Sequence, residues 1–255
     1  ERIADFHKCI ALHIKLRELS ENECFFWICI YANRQHALTQ ELVADPRQTS
    51  FYKAMQLSVG VLLILDDETE YSGPASPFGR IWCAFEESMA SKDMKHLILD
   101  IATCTGHRAE LLADNPVPID QRKGSDWWGG AEGSKVVREL AFPVNVVRAG
   151  ICLRLQDAKA SQDIDRKRIL NCLAGRDLEL PPLPDNPNYE DVNCNLRATF
   201  AMRAWRLAME AGVIRKFGFP EALAGDGSLR KLSLNFTCSD FNDQDAVDLA
   251  NGLSR

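Results

Sequence analysis

The chain has 255 residues, 46% of them hydrophobic and 26% charged, with a formal net charge of −6. These are ordinary values for one or two globular domains with a sizeable core. The acidic balance and the lack of a basic run argue against a nucleic-acid-binding surface, and no apolar run reaches the length of a membrane span. The nine cysteines (Cys9, Cys24, Cys29, Cys83, Cys104, Cys152, Cys172, Cys194 and Cys238) are scattered and never spaced as C-x-x-C. The odd count and the scatter point to a reducing compartment, hence a cytoplasmic location, rather than a disulfide framework. His7, His13, His36, His96 and His107 do not cluster with them at ligand spacing, so no metal site is expected. No signal peptide is visible. The chain begins at Glu1 rather than Met and reads as a fragment.

Residues 2–19 carry Ile3, Phe6, Ile10, Ile14 and Leu16 at roughly helical spacing, which predicts a helix. Residues 23–31, ECFFWICIY, predict a strongly apolar strand. Asn33, Gln35 and His36 follow its end, placed either to face a ligand or to cap a solvated loop. Residues 50–57 predict a short helix with Ser50 as its cap.

The organising stretch is residues 58–90. Residues 59–65 form a short continuous apolar run, the pattern of a strand covered on both faces of a parallel sheet. Asp66, Asp67 and Glu68 end it, at the strand end where open parallel sheets bind ligands. A loop with Gly73, Pro74 and Pro77 leads to a helix start at Ser76-Pro77. Phe78, Trp82, Phe85 and Met89 make one apolar stripe for docking on the sheet. Gly79, Cys83, Glu86 and Ala90 make a small-sided neighbouring stripe with Glu86 in its middle, while Glu87 is expected to point into water. Glu86 is then either open to a ligand or simply an acid that suits the first turns of a helix.

Residues 95–102 predict a third strand, with Asp100 interrupting it. Alternating helices and strands predict a parallel sheet with helices on its faces, and the leading helix implies a strand upstream of Glu1. The glycine-rich stretch GSDWWGGAEGSK, with Trp127 and Trp128, matches neither a P-loop nor GxGxxG and reads as a loop packing on the domain or covering a site. Beyond it, the pattern predicts a short helix at 134–141, an edge strand at 151–155 and an amphipathic helix at 163–173. A proline-rich hinge follows at 175–188, then a helix at 194–211. Residues 228–253 carry Leu229, Leu232, Leu234, Phe236 and Phe241 at strand-like spacing, followed by an amphipathic helix at 243–253. That unit has the size of one leucine-rich repeat, which needs further repeats to bury its face.

On the residues Trp82-Cys83-Ala84-Phe85-Glu86 and the elements around them, the first hundred residues resemble a TIR domain, whose family pattern is Trp-Cys-x-x-Glu at a helix start. Residues 27–35 and 80–86 are similar to the WICxYANxQ strand and the RIWCxFE helix of a divergent TIR-like family of unicellular eukaryotes. Residues 229–253 resemble a ribonuclease-inhibitor-type leucine-rich repeat.

The resemblance implies a flavodoxin-like α/β domain over 1–158, a helical connector over 159–224 and the start of a repeat array over 225–255. It implies an intracellular signalling or sensing protein. The TIR-like domain would self-associate, and the repeats would bind a protein partner. It also implies an alternative, hydrolysis of NAD at the nicotinamide–ribose bond with Glu86 as the catalytic carboxylate. In that case Asn33, Gln35, Asp66 and Trp82 are candidate nucleotide-binding residues, NAD is a substrate, and no cofactor is needed. The family often has Ser where this chain has Arg80.

Overall fold

The computed structural model describes residues 2–32, 43–67, 73–92, 97–113, 115–123 and 130–210, with four isolated positions beyond 243. Three strands form one mixed sheet in the order β1 (Gly60–Leu65), β2 (Ile98–Thr105), β3 (Arg108–Leu112). β1 and β2 are parallel, with Gly60 opposite Ile98 and Leu65 opposite Thr103. β2 and β3 are antiparallel, with Thr105 opposite Arg108. The two residues between them, Gly106 and His107, both have positive φ (54° and 71°). That is the backbone twist a two-residue hairpin needs to match its strands. A parallel pair cannot be joined by such a turn, and here the crossover runs through the helix Ile81–Lys92.

In chain order the helices are α1 (Ile3–Arg17), α2 (Cys29–Ala32), α3 (Ser50–Leu57), α4 (Ile81–Lys92) and α5 (Pro118–Lys123). They continue as α6 (Gly130–Leu140), α7 (Val144–Ile151), α8 (Asp163–Ala174), α9 (Pro187–Arg203) and α10 (Trp205–Glu210). No described helix is long and apolar enough to cross a membrane.

Strand alternation sorts side chains between two cores. Val61, Leu63, Leu65, Ile101 and Leu112 face the larger one, with Phe85 and Met89 of α4, Val147 of α7, Leu170 of α8 and Phe200 of α9. Leu62, Ile64, Ala102 and Leu111 face a smaller one, closed by Cys9 and Leu16 of α1. The larger core runs without a break from Met55 to Leu207, across the boundary expected at 158. Backbone bonds also cross that point: Ile81 N–H donates to the Lys159 carbonyl, and Lys159 N–H to the Gly79 carbonyl, both at 2.8 Å.

Several expectations need correction. Residues 23–31 do not form a strand. Residues 24–28 lie outside any ladder and Cys29–Ala32 is one helical turn. The side chains still alternate as in a strand, with Phe26 edge-on to His13 of α1 and Trp27 edge-on to Phe51 of α3. Apolar alternation specifies which way side chains point, but a strand also needs a partner for its backbone groups. The sheet is mixed rather than parallel because β3, in the stretch read as loop, returns through the hairpin.

The edge strand expected at 151–155 is the end of α7 followed by the 3₁₀ turn Leu155–Asp157. The cap of α3 is Thr49, fully buried, whose hydroxyl accepts from Tyr52 N–H, so the cap is one residue earlier than expected. Ser76-Pro77 opens a separate 3₁₀ turn, Ser76–Gly79, before α4 begins at Ile81. Residues 175–186 of the proline-rich stretch lack regular structure, as expected, while Pro187 and Asn188 already belong to α9, and the stretch is tied down. Asn171 Nδ2 donates to the Leu180 carbonyl at 2.6 Å, and Lys167 and Arg168 both pair with Glu179. The repeat unit expected at 225–255 and the Trp127-Trp128 loop lie outside the described residues.

Helices α7 and α9 meet where Gly150 faces the Phe200 ring, and a Cβ on Gly150 would come within 2.6 Å of it. An alanine in a helix interior is intrinsically better than glycine by about 1 kcal/mol. Overpacking a buried ring costs about 1–3 kcal/mol. Gly150→Ala is therefore expected to lower the urea midpoint of the chain. An unchanged or higher midpoint would mean the α7–α9 contact is not as close as described.

Candidate functional site

α4 is covered on nearly every side. Ile81, Ala84 and Phe85 are fully buried, and Glu87, Ser88, Met89 and Ala90 are buried with them. Among its described side chains only Trp82, Cys83 and Glu86 keep partial exposure. These are the residues of the Trp-Cys-x-x-Glu motif, adjacent on the helix surface by their i, i+4 and i, i+3 spacing.

Trp82, though partly exposed, is held by three neighbours. Its indole N–H donates to Asp165 Oδ2 of α8 at 3.2 Å. Its ring stacks on Phe51 of α3 at 5.3 Å and meets Phe85 edge-on at 6.1 Å. Such aromatic pairs add about 0.5–1.5 kcal/mol beyond the area they bury. Trp82 therefore fastens α3 and α8 to α4, and no free ring face is left toward a nucleotide on the Phe51 side. Burial, with the neighbouring Glu86 charge adding to it, pushes the Cys83 thiol up to about 12. At neutral pH it is a thiol and not a nucleophile.

Glu86 makes no hydrogen bond or ion pair with any described residue. Burial pushes its carboxyl up to about 7, against the opposing pull of Arg80. It is thus divided between acid and carboxylate near neutral pH. The expectation for Glu87 is reversed: it is 2% exposed, and neither of its carboxyl oxygens has a hydrogen-bond partner among the described residues. Helices α8 and α9, which the larger core places over α4, occupy the direction assigned to water. Burial pushes the Glu87 carboxyl up to about 8, with Arg203 of α9 pulling it down.

Asp66 lies just past the end of β1, as expected, but its carboxylate turns into the fold. Ser76 N–H donates to its Oδ1 and Ser76 Oγ–H to its Oδ2, both at 2.6 Å. Ala75 N–H donates to its backbone carbonyl at 2.8 Å. Asp66 thereby pins the turn that leads into α4. Asp67 accepts from Asn145 Nδ2 of α7 at 2.9 Å. Asn33 and Gln35 lie outside the described residues. Of the expected site residues, then, Trp82 and Glu86 share one stripe of α4, and Asp66 supports the entry to that helix.

A second polar centre lies on the opposite face of the sheet. Asp100, fully buried on β2, accepts from Arg17 Nε at 2.8 Å and Arg17 Nη2 at 2.6 Å. His13 Nε2 stands 3.2 Å from its Oδ2. Burial raises the Asp100 carboxyl, and the hydrogen bonds from Arg17 and His13 outweigh it, holding the group below the ordinary carboxylate value. The sequence signal was the acid interrupting an apolar strand. Its partners were not legible, because Arg17 is 83 positions away. Among the described residues, no group of three or more His, Cys, Asp or Glu is placed to hold a metal ion.

The Asp66–Ser76 pairing has a direct test. Asp66→Ala removes the acceptor of both bonds from Ser76, and because Ser76 is exposed and its donors can turn to water, each lost bond costs about 0.5–1.5 kcal/mol. The thermal midpoint should fall accordingly, and Ser76→Ala should lower it less, since the Ser76 N–H bond survives. Equal stability of Asp66→Ala and wild type would remove the structural role.

A scan against protein-family models, a search of curated proteins and a search of solved structures give no match to this chain.

Proposed function

We propose that the chain is the assembly module of an intracellular signalling or sensing protein. The described part is read as a TIR-like, flavodoxin-like domain that associates with like domains. Residues 225–255 are read as the first unit of a leucine-rich repeat array that binds a protein partner. The β1–α4–β2 crossover and the helices on both sheet faces support the fold reading. The observation that carries the assembly reading is the apolar surface at the amino end of the parallel pair. Leu57 is 89% exposed, Val59 is 85% exposed, and Val59 is tied to the exposed Ile98 by the bond from Ile98 N–H to its carbonyl. Exposed apolar side chains standing together mark interaction surfaces more often than scattered ones do.

Sedimentation equilibrium of the purified chain tests this. The wild type is expected to self-associate, and Val59→Asp to weaken association at least tenfold, since a charge buried in an interface costs more than about 1.4 kcal/mol. A wild type that stays monomeric at every concentration overturns the reading.

The Glu86 carboxyl, on the partly exposed stripe and without a hydrogen bond or ion pair to any described residue, favours a second reading, an NAD hydrolase. The C1′–N bond to nicotinamide breaks, its electrons leave with the pyridine nitrogen, and the ribose gains oxocarbenium character. Ionised Glu86 would stabilise that positive charge, and water would add at C1′ and release a proton. Pyridinium is already a good leaving group, so one carboxylate suffices. Because the role needs the carboxylate, the rate should climb as pH rises through about 7. Glu86→Gln should lower it about a hundredfold or more. Nicotinamide release measured by chromatography decides this. No turnover at high protein concentration, or turnover untouched in Glu86→Gln, rules the hydrolase out.

A further inference from the structure

Glu87 is unused by either reading, and its position calls for an account. Its side chain is buried on the side of α4 that faces Arg203 of α9, and neither buried carboxyl oxygen has a hydrogen-bond partner among the described residues. A carboxylate in that setting has lost its water and gained no hydrogen bond in return, with only the pull of Arg203 to offset the loss, which is a costly arrangement for a core. A neutral carboxylic acid is far cheaper there.

The surroundings offer little compensation. From α9, Arg203 is the cation that acts on Glu87, but its Nε donates to the Leu99 carbonyl of β2 at 3.1 Å and its Nη1 to the Thr199 carbonyl at 3.0 Å. From α8, Asp165 is taken by Trp82, and Arg166 donates to the carbonyls of Ala158 and Gln156. Lys53 of α3 is on the exposed side of its helix. Arg80, before α4, acts on Glu86 and Cys83. On α4 itself, Cys83 and Glu86 are the titratable neighbours, and neither supplies positive charge.

We propose that Glu87 is a proton-operated latch between α4 and α9: protonated, it lets the two helices close over it, and on losing its proton it drives them apart. The consequence reaches the partly exposed stripe, because Trp82, Cys83 and Glu86 ride on the same helix. Loss of the proton frees α4 on its α9 side, so the stripe is held rigidly only on the acid side of the transition. The inference does not depend on assembly or on NAD hydrolysis.

The sign of the pH dependence follows from the proton count. The unfolded chain releases the Glu87 proton near the ordinary value of 4.5, whereas the folded chain keeps it up to about 8. Between those values the folded state binds the extra proton, so stability falls as pH rises, by about tenfold in the unfolding constant per pH unit, and levels off above about 8. Glu86 acts in the same direction up to about 7.

The experiment compares wild type with Glu87→Gln by urea unfolding from pH 5 to 9, with hydrogen exchange of the α4 and α9 amides read at each pH. Relative to Glu87→Gln, the wild type is expected to lose about 400-fold in its folding constant between pH 5 and 8. It should also lose exchange protection in α4 and α9, while β3 stays protected. Parallel pH profiles for the two proteins overturn the proposal. If Glu87→Gln does not fold, infrared titration of Glu86→Gln decides instead. A protonated-carboxyl band that persists at pH 7 and bleaches near pH 8, together with loss of α4 protection, supports the latch. Absence of that band at pH 7 refutes it.

Discussion

The structure depends on the enclosure of one helix. α4 links the two parallel strands, and its apolar stripe must dock on their sheet. In this chain α8 and α9 close over it from the other side, so its surroundings are core on almost every face. Everything specific about the site follows from that. An ordinary surface helix would show Glu87 and Ser88 to water, but here both are buried. What remains partly open is the narrow stripe of Trp82, Cys83 and Glu86. Even on that stripe Trp82 is committed to Phe51 and Asp165, which hold α3 and α8 in place.

Two carboxyls next to each other on that helix have different fates. Glu86 looks outward past Arg80 and titrates near neutrality, while Glu87 faces Arg203 across the α4–α9 contact and titrates higher. The difference comes from the helical rotation of about 100° per residue, which sends adjacent side chains into different environments. Asp100 shows the opposite solution to the same problem. It is as deeply buried as Glu87, but Arg17 and His13 satisfy it, so it stays ionised. Asp100 on one side of the sheet is thus a compensated buried acid and Glu87 on the other an uncompensated one.

Apolar surface tells a similar story of partial closure. The amino end of the β1–β2 pair leaves Leu57, Val59 and Ile98 in solvent, although β1 has apolar side chains on both faces, as interior strands do. The extended residues 24–28 place Phe26 toward α1 and Trp27 toward α3, one on each side of the sheet, without joining the ladder.

By itself the sequence determined the elements with strong local signals. Helical periodicity located α1, α3, α8 and the body of α9. The apolar runs located β1 and, despite Asp100, the first part of β2, whereas Ser76-Pro77, read as the start of the helix, opens a separate 3₁₀ turn ahead of α4. It also singled out Glu86 at the border of that helix, but it placed Trp82 on the neighbouring apolar stripe, and only the packing left Trp82, Cys83 and Glu86 together as the partly exposed side chains. Only the tertiary structure decided which faces were covered. β3 was missed because its pairing comes from a hairpin whose strength lies in the turn geometry at Gly106 and His107, not in a long apolar run. Residues 23–31 were read as a strand because a strongly apolar run reports a need for burial and says nothing about backbone partners. Glu87 was assigned to water because a single helix has an inside and an outside only relative to what packs on it. The helices that enclose it lie some 80 to 115 residues further along the chain, where no local pattern reports their position.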